Sequence, residues 1–286
     1  MSKIGDLLRQ DETRLAQISG MSIAEARFEV QLLMAHALRA NRAWLLAHDD
    51  DSLAGGAAVN YRGYLERRLN GEPVAYIFGE KEFYGLLLTV NADVLIPRPE
   101  TELLVDLALE CMPTDEPQQA LDLGTGSGAI ALALAKCRPF GLCLAVDASA
   151  AALRVALANA ARLQLRNVRF QESDWWQNVP DAPKFNVIVS NPPYIAAADR
   201  HLQAGDLRFE PLHALAAGTT GLDDLQIIVR GAPAYLAQDG YLLLEHGYEQ
   251  GAAVRQLLDA AGFSEVRTHR DLAGCERVST GKIKPG

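Results

Sequence analysis

The chain has 286 residues and a mass of 31.0 kDa, enough for two domains or one large one. Hydrophobic residues make up 49% and charged residues 22%, an ordinary balance for a globular enzyme, and no apolar run reaches the roughly 18 residues a membrane-spanning helix needs. With 27 basic and 36 acidic side chains the formal charge is −9, which argues against a direct nucleic-acid substrate and favours a protein partner with basic surface.

The N-terminus, MSKIGDLLRQ, carries charges where an export signal would carry its apolar core, so a cytoplasmic protein is expected. Four cysteines, Cys111, Cys137, Cys143 and Cys275, lack metal-ligand spacing, and free thiols with no metal site are expected.

Residues 1–75 read as a small helical domain. Ser22 and Glu25 stand in capping-box spacing. Behind them Ala26, Val30, Leu33 and Ala37 fall on one helical face. Tyr61, Tyr64, Leu65 and Leu69 do the same after the run Asp49, Asp50, Asp51, which reads as a solvated helix entry. Residues 76–95 form a linker whose EFYGLLLTV stretch has the residues of a β-hairpin. Residues 96–286 make up the third part. Pro99 suits a first helical turn, with Glu100 and Glu102 at the positive end of a helix over 103–109.

Beyond Gln118, strand-like and helix-like segments alternate. ALDLG, LCLAVD, VRFQES and FNVIVS read as strands. A helix over 222–236, a strand over 241–245, a helix over 252–260 and strands over 264–268 and 277–280 follow. Such alternation predicts an α/β fold with a parallel, doubly wound sheet.

Two motifs carry chemistry. In the first, a buried strand ending at Leu123 turns through Gly124, Thr125, Gly126, Ser127 and Gly128 into a helix, and the missing Cβ atoms let a ligand approach the backbone. About 20 residues on, a second strand ends at Asp147, whose carboxylate can accept from the ribose hydroxyls of an adenosine cofactor. This pair alone also satisfies a dinucleotide fingerprint through Gly124, Gly126 and Ala129, so a nicotinamide enzyme stays open at this point.

The second motif, Asn191, Pro192, Pro193 and Tyr194, follows the fourth strand of that sheet and faces the same crevice. A redox enzyme has no use for it there. An enzyme that methylates a planar nitrogen does. The lone pair of an amide nitrogen is delocalised, so the group must be held: the Asn191 side-chain oxygen and the Pro192 carbonyl can accept its two N–H groups. The Tyr194 ring can offer a flat face. Fixing both reactants removes the entropic part of the barrier. A rigid Pro-Pro turn is the structural alternative.

These motifs resemble the amino-methyltransferase signature of class I methyltransferases. The whole chain resembles the PrmC/HemK family of release factor glutamine methyltransferases, through Glu82 to Gly85, Leu95 to Glu102, Ser173-Asp174-Trp175, Arg208 to Pro211 and Leu244 to Gly247. The resemblance implies a helical N-terminal domain, a β-hairpin linker and a seven-strand Rossmann-like catalytic domain. It implies S-adenosyl-L-methionine as cofactor, bound by residues 124–128, Asp147, Trp175 and Asn191, and peptide chain release factors as protein partners. The target is the glutamine of their Gly-Gly-Gln loop, held by Asn191, Pro192, Pro193 and Tyr194. Neither a metal nor a membrane is called for, and a monomer is expected.

Trp175 also has a direct reading, an aromatic able to reach the adenine edge of the crevice, against the alternative of core packing. Arg98 and Glu100 are expected either to pair or to position the methionine end of the cofactor. His246 reads as structural, because the methylated amide can lose its proton to water. Two other functions compete: an adenine-N6 nucleic-acid methyltransferase, which the charge disfavours, and a ribosomal-protein glutamine methyltransferase. A silent binding module would have no need to keep Asp147 or Asn191. Since a lone glutamine offers few contacts, the helical domain is expected to supply substrate recognition.

Overall fold

A computed structural model describes residues 2–114, 116–203 and 205–284. The chain divides into two compact units, Met1–Gly79 with Gln203–Phe209, and Glu80–Leu202 with Glu210–Gly286.

The first unit holds helices α1 (Ile4–Ser19), α2 (Ile23–Leu38), α3 (Arg42–Ala47), α4 (Gly55–Leu69) and α5 (Val74–Phe78). The capping box at α2 is complete: Glu25 N–H donates to Ser22 Oγ at 3.3 Å, and Ser22 N–H donates to the Glu25 carboxylate at 2.8 Å. Ala26, Val30, Leu33 and Ala37 are all buried, as their spacing predicts, against Leu15, Tyr61 and Leu65. The aspartate run does not enter α4. Instead the carbonyls of Asp49 and Asp51 accept from the N–H groups of Gly5 and Ile4, which satisfies two otherwise orphaned donors at the start of α1. Arg68 is buried and therefore needs partners. It has Glu29 at 2.6 Å, Asp206 at 3.0 Å and the carbonyls of Gly71 and Glu72. Through Asp206, a segment far downstream in sequence belongs to this helical unit.

The second unit opens with a hairpin of β1 (Glu80–Phe83) and β2 (Leu86–Thr89), joined by Tyr84 and Gly85, both at positive φ. That is the two-residue turn that matches strand twist. There follow a short 3-10 turn at Pro99–Thr101, α6 (Glu102–Glu110), β3 (Gln119–Leu123), α7 (Ala129–Cys137), β4 (Leu142–Asp147) and α8 (Ala150–Arg162). The chain continues through β5 (Val168–Glu172), β6 (Phe185–Ser190), α9 (Asp223–Gly231), β7 (Leu236–Glu245), α10 (Gly251–Ala260), β8 (Phe263–Arg270) and β9 (Glu276–Ile283).

The seven strands of the main sheet lie in the order β5-β4-β3-β6-β7-β9-β8. Alternate side chains feed two apolar layers. Ala120, Val187, Val189 and Leu243 pack with α6 and α7, while Leu121, Leu123, Ile188, Leu242 and Leu244 pack with α9 and α10. The sheet is not wholly parallel, as alternation alone suggests: β9 runs antiparallel to β7 and β8. The connection over 271–275 is too short for a crossover and permits only a reversal. The helix expected over 222–236 stops at Gly231, ahead of Pro233. Gly231 sits under Trp176, and a Cβ there would stand 2.2 Å from the indole nitrogen.

Candidate active site

The order β4-β3-β6-β7 places the topological switch between β3 and β6, where an open sheet leaves a crevice at the carboxyl ends of its strands. Leu123 pairs with Ser190, and Ser190 with Leu244, so Gly124, Asn191 and Glu245 leave neighbouring strands at one level. Ser190 Oγ donates to the Leu123 carbonyl at 2.7 Å and fastens two of these ends together. A cavity of about 220 Å³ opens there, lined by Gly124, Gly126, Asp147, Trp175, Asn191 and Pro193 among others.

The Gly-rich turn divides into two roles. Gly124 and Gly126 have φ of 73° and 57°. Built on Gly126, a Cβ would meet nothing within 4 Å, and on Gly124 only the Trp175 ring, at 3.5 Å. Backbone is thus presented to open space. Thr125, Ser127 and Gly128 do not line the cavity. Thr125 Oγ1 turns inward to donate to Asp122 at 2.6 Å, the Ser127 carbonyl accepts from Asn159, and Gly128 lets α7 approach Ala156 of α8. Asn159 also donates to the Thr89 carbonyl and accepts from Thr89 N–H, so one buried amide ties the hairpin to the turn. No pattern in the sequence marks it.

Asp147 ends β4 with one carboxylate oxygen accepting from Gly126 N–H and the other from Ser149 N–H, each at 2.8 Å. Its direction is therefore fixed, and each oxygen keeps a second lone pair. Trp175 stands at φ 45° and donates its indole N–H to Asp224 at 3.2 Å. Burial pushes the Asp224 carboxyl upward. Its neighbour Trp176 stacks on Tyr235 at 4.7 Å instead. Asp93, Val94 and Leu95, placed by sequence in the linker, also form cavity wall, as do His213, Ala214 and Asp224.

The second motif is likewise split. Asn191 and Pro193 face the cavity, whereas Pro192 is buried and Tyr194 is not part of the wall. The Tyr194 ring is half-buried: a Cβ on Gly247 would lie 3.6 Å from it, and burial raises the phenol to about 12. The Tyr194 carbonyl accepts from Gln250 Nε2 at 3.0 Å, which anchors the end of the motif to the turn before α10. Behind Asn191 lie Thr101 and Glu245, both buried, with Asn191 Nδ2 donating to Thr101 Oγ1 at 3.2 Å. The expected pairing of Arg98 with Glu100 is not found. Arg98 pairs with the buried Glu210 instead, and Glu210 also accepts from Ile96 N–H at 3.0 Å. His246 is buried between the Gly247 carbonyl and Ser279, and burial lowers its pKa.

Below the turn, Asp122 is fully buried with one oxygen lacking any partner. Burial raises it to about 7, opposed by hydrogen bonds from Thr125 and Ala131. The folded protein then keeps a proton that the unfolded chain releases near pH 4. The stability from this group is complete below that value and is lost as pH rises through 7. An Asp122→Asn variant does not titrate, so its stability relative to the parent improves as pH rises from 5 towards 7, by at most about 1.4 kcal/mol per pH unit, and levels off above 7. Urea unfolding across that range checks this; a constant difference contradicts it.

Among known proteins, the family model described as the PrmC N-terminal domain matches residues 6–79, and the methyltransferase small domain matches residues 101–210. The release factor glutamine methyltransferase of Xylella fastidiosa is 48% identical over 260 residues, 91% of this chain and 94% of its own. That of Pseudomonas aeruginosa is 49% identical over 257 residues, 90% of this chain and 92% of its own. A crystal structure of a methyltransferase from Pyrococcus furiosus shares the fold, with a TM-score of 0.55 at 20% identity over 78% of this chain and 99% of that one. The identity to full-length relatives, across both the helical region and the crevice, places this chain in the release factor glutamine methyltransferase family.

Proposed function

We propose that the protein transfers a methyl group from S-adenosyl-L-methionine to the side-chain amide nitrogen of the glutamine in the Gly-Gly-Gln motif of peptide chain release factors. The observation that carries this reading is convergence. Asn191, Asp147, Gly124 and Gly126 reach one cavity at the switch point of the sheet, in a chain of this family. The cavity suits the cofactor. Open space stands over Gly126, an oriented carboxylate offers spare lone pairs, and Trp175 supplies an aromatic wall.

Asp147 holds the ribose, Trp175 borders the adenine, and Gly124 and Gly126 admit the cofactor to the backbone. The bound cofactor supplies an electrophilic methyl group on a sulfonium, so neither a metal nor a covalent enzyme intermediate is needed. Asn191 Oδ1 and the Pro192 carbonyl accept from the two amide N–H groups of the glutamine and aim its nitrogen. Pro192 adds no backbone donor of its own to compete. Pro193 forms wall beside them, while the half-buried Tyr194, its carbonyl held by Gln250, keeps the motif in place.

In this reading residues 1–75 dock the release factor, 76–95 link, and 96–286 carry out transfer, within a monomer in the cytoplasm. Four free thiols suit a reducing compartment, and among the described residues no helix is long and apolar enough to cross a membrane. The test supplies methyl-labelled cofactor with release factor, ribosomal protein or nucleic acid in separate reactions. Label is expected in the release factor; label only in another substrate overturns the assignment.

A further inference from the structure

The acceptor role of Asn191 requires that its amide present oxygen, not NH2, to the substrate. A primary amide is nearly symmetric in shape, so something must hold one orientation. Asn191 Nδ2 donates to Thr101 Oγ1 at 3.2 Å, which leaves Oδ1 as the free end of a residue that lines the cavity. Thr101 is itself buried, and the buried Glu245, which ends β7, lies close enough to both Thr101 and Asn191 for their side chains to lower its pKa. A hydroxyl has a single proton. When Glu245 is ionised it attracts that proton, and Thr101 then accepts from the amide, as the Asn191 Nδ2 contact has it.

We infer that Thr101 and Glu245 are positioning residues that lock the Asn191 amide in its oxygen-outward orientation. The inference rests on the proposed function for its kinetic consequence, though not for the orientation itself.

Three features of Glu245 support this. It is 1% exposed, and among the described residues one carboxylate oxygen has no hydrogen-bond partner, so its place is not explained by a satisfied core network. Burial pushes it up to about 7, opposed by Thr101, by the nearby Arg277 and by Asn191 itself, while Glu100 raises it further. Finally, it stands on the strand next to β6, level with Asn191, as the register of Ser190 with Leu244 dictates. Once ionised, as pH rises past 7, the carboxylate at that level accepts only and polarises the hydroxyl in one direction. Arg277 also meets Asp271 at 3.2 Å, which fixes it near the carboxylate.

The test pairs side-chain amide NMR of Asn191 with steady-state kinetics in full-length Thr101→Val and Thr101→Ser variants. Valine keeps the shape and removes the hydroxyl; serine restores it. In the parent and in Thr101→Ser, one Asn191 amide proton is expected to be protected from solvent exchange, with kcat within about threefold. In Thr101→Val the protection is lost and kcat falls at least about tenfold, while cofactor affinity stays within about twofold. Protection or turnover unchanged in Thr101→Val overturns the inference. So does equal loss in valine and serine variants, or a loss of cofactor affinity that accounts for the fall. A protected amide in a parent enzyme that never methylates glutamine leaves the lock standing and removes the proposed function instead.

Discussion

Replacing Asn191 by alanine is expected to reduce turnover on release factor at least about tenfold, or about 1.4 kcal/mol of barrier, while leaving cofactor binding largely intact. The side chain follows β6 at the switch point, faces the cavity and is held from behind by Thr101. In the proposed function its removal deletes one of two acceptors for the substrate amide, leaving the glutamine free to rotate about the remaining bond to Pro192. The cost falls on kcat, because the lost contact orients the nucleophile rather than merely binding it. The fold should survive, since the strand ends stay fastened by Ser190 and Leu123. Near-normal turnover with unchanged cofactor affinity would remove Asn191 from the acceptor site.

Asp147→Ala is expected to act at the other end of the cavity, weakening cofactor binding at least about tenfold. Two effects add. In the proposed function the ribose loses its carboxylate, and the N–H groups of Gly126 and Ser149 lose the acceptors that shape the loop, each exposed donor costing about 1–3 kcal/mol where water cannot replace the bond. Asp147→Asn separates them. It keeps an acceptor for one N–H and part of the loop geometry, so its affinity should lie between alanine and the parent. Calorimetry with the cofactor decides. An alanine variant with parental affinity places Asp147 outside the site.

The fold was largely legible because local and global signals agree. Ser22 and Glu25, the Tyr84-Gly85 turn and the glycines after Leu123 each dictate a backbone conformation within a few residues. The reversal of β9 was harder, since it depends on a short connection rather than on periodicity. Within the site, Gly124, Gly126, Asp147, Trp175 and Asn191 meet at one cavity as the strand-end argument requires. Thr125, Ser127, Gly128 and Tyr194 turn elsewhere, because spacing shows which residues enter a turn but not which side chain points inward.

What the sequence could not reveal is long-range. Thr101 reaches Asn191 across 90 positions, Asn159 reaches Thr89 across 70, and Glu210 reaches Ile96 across 114. Such pairs leave no local pattern. Glu245 is a particular case: a charged residue at the end of an apolar strand reads as a surface boundary, yet it is 1% exposed. The packing of Gln203–Phe209 with the helical unit is likewise invisible until Arg68 is seen to be buried with Asp206 as partner.

Tandem mass spectrometry of release factor after incubation with the enzyme and methyl-labelled S-adenosyl-L-methionine tests the central claim most directly. One added methyl group is predicted on the side-chain nitrogen of the glutamine in the Gly-Gly-Gln motif, formed at least about tenfold more slowly when Asn191→Ala replaces the parent. A methyl group on any other residue, or a release factor left unmodified beside a methylated nucleic acid, would contradict the account.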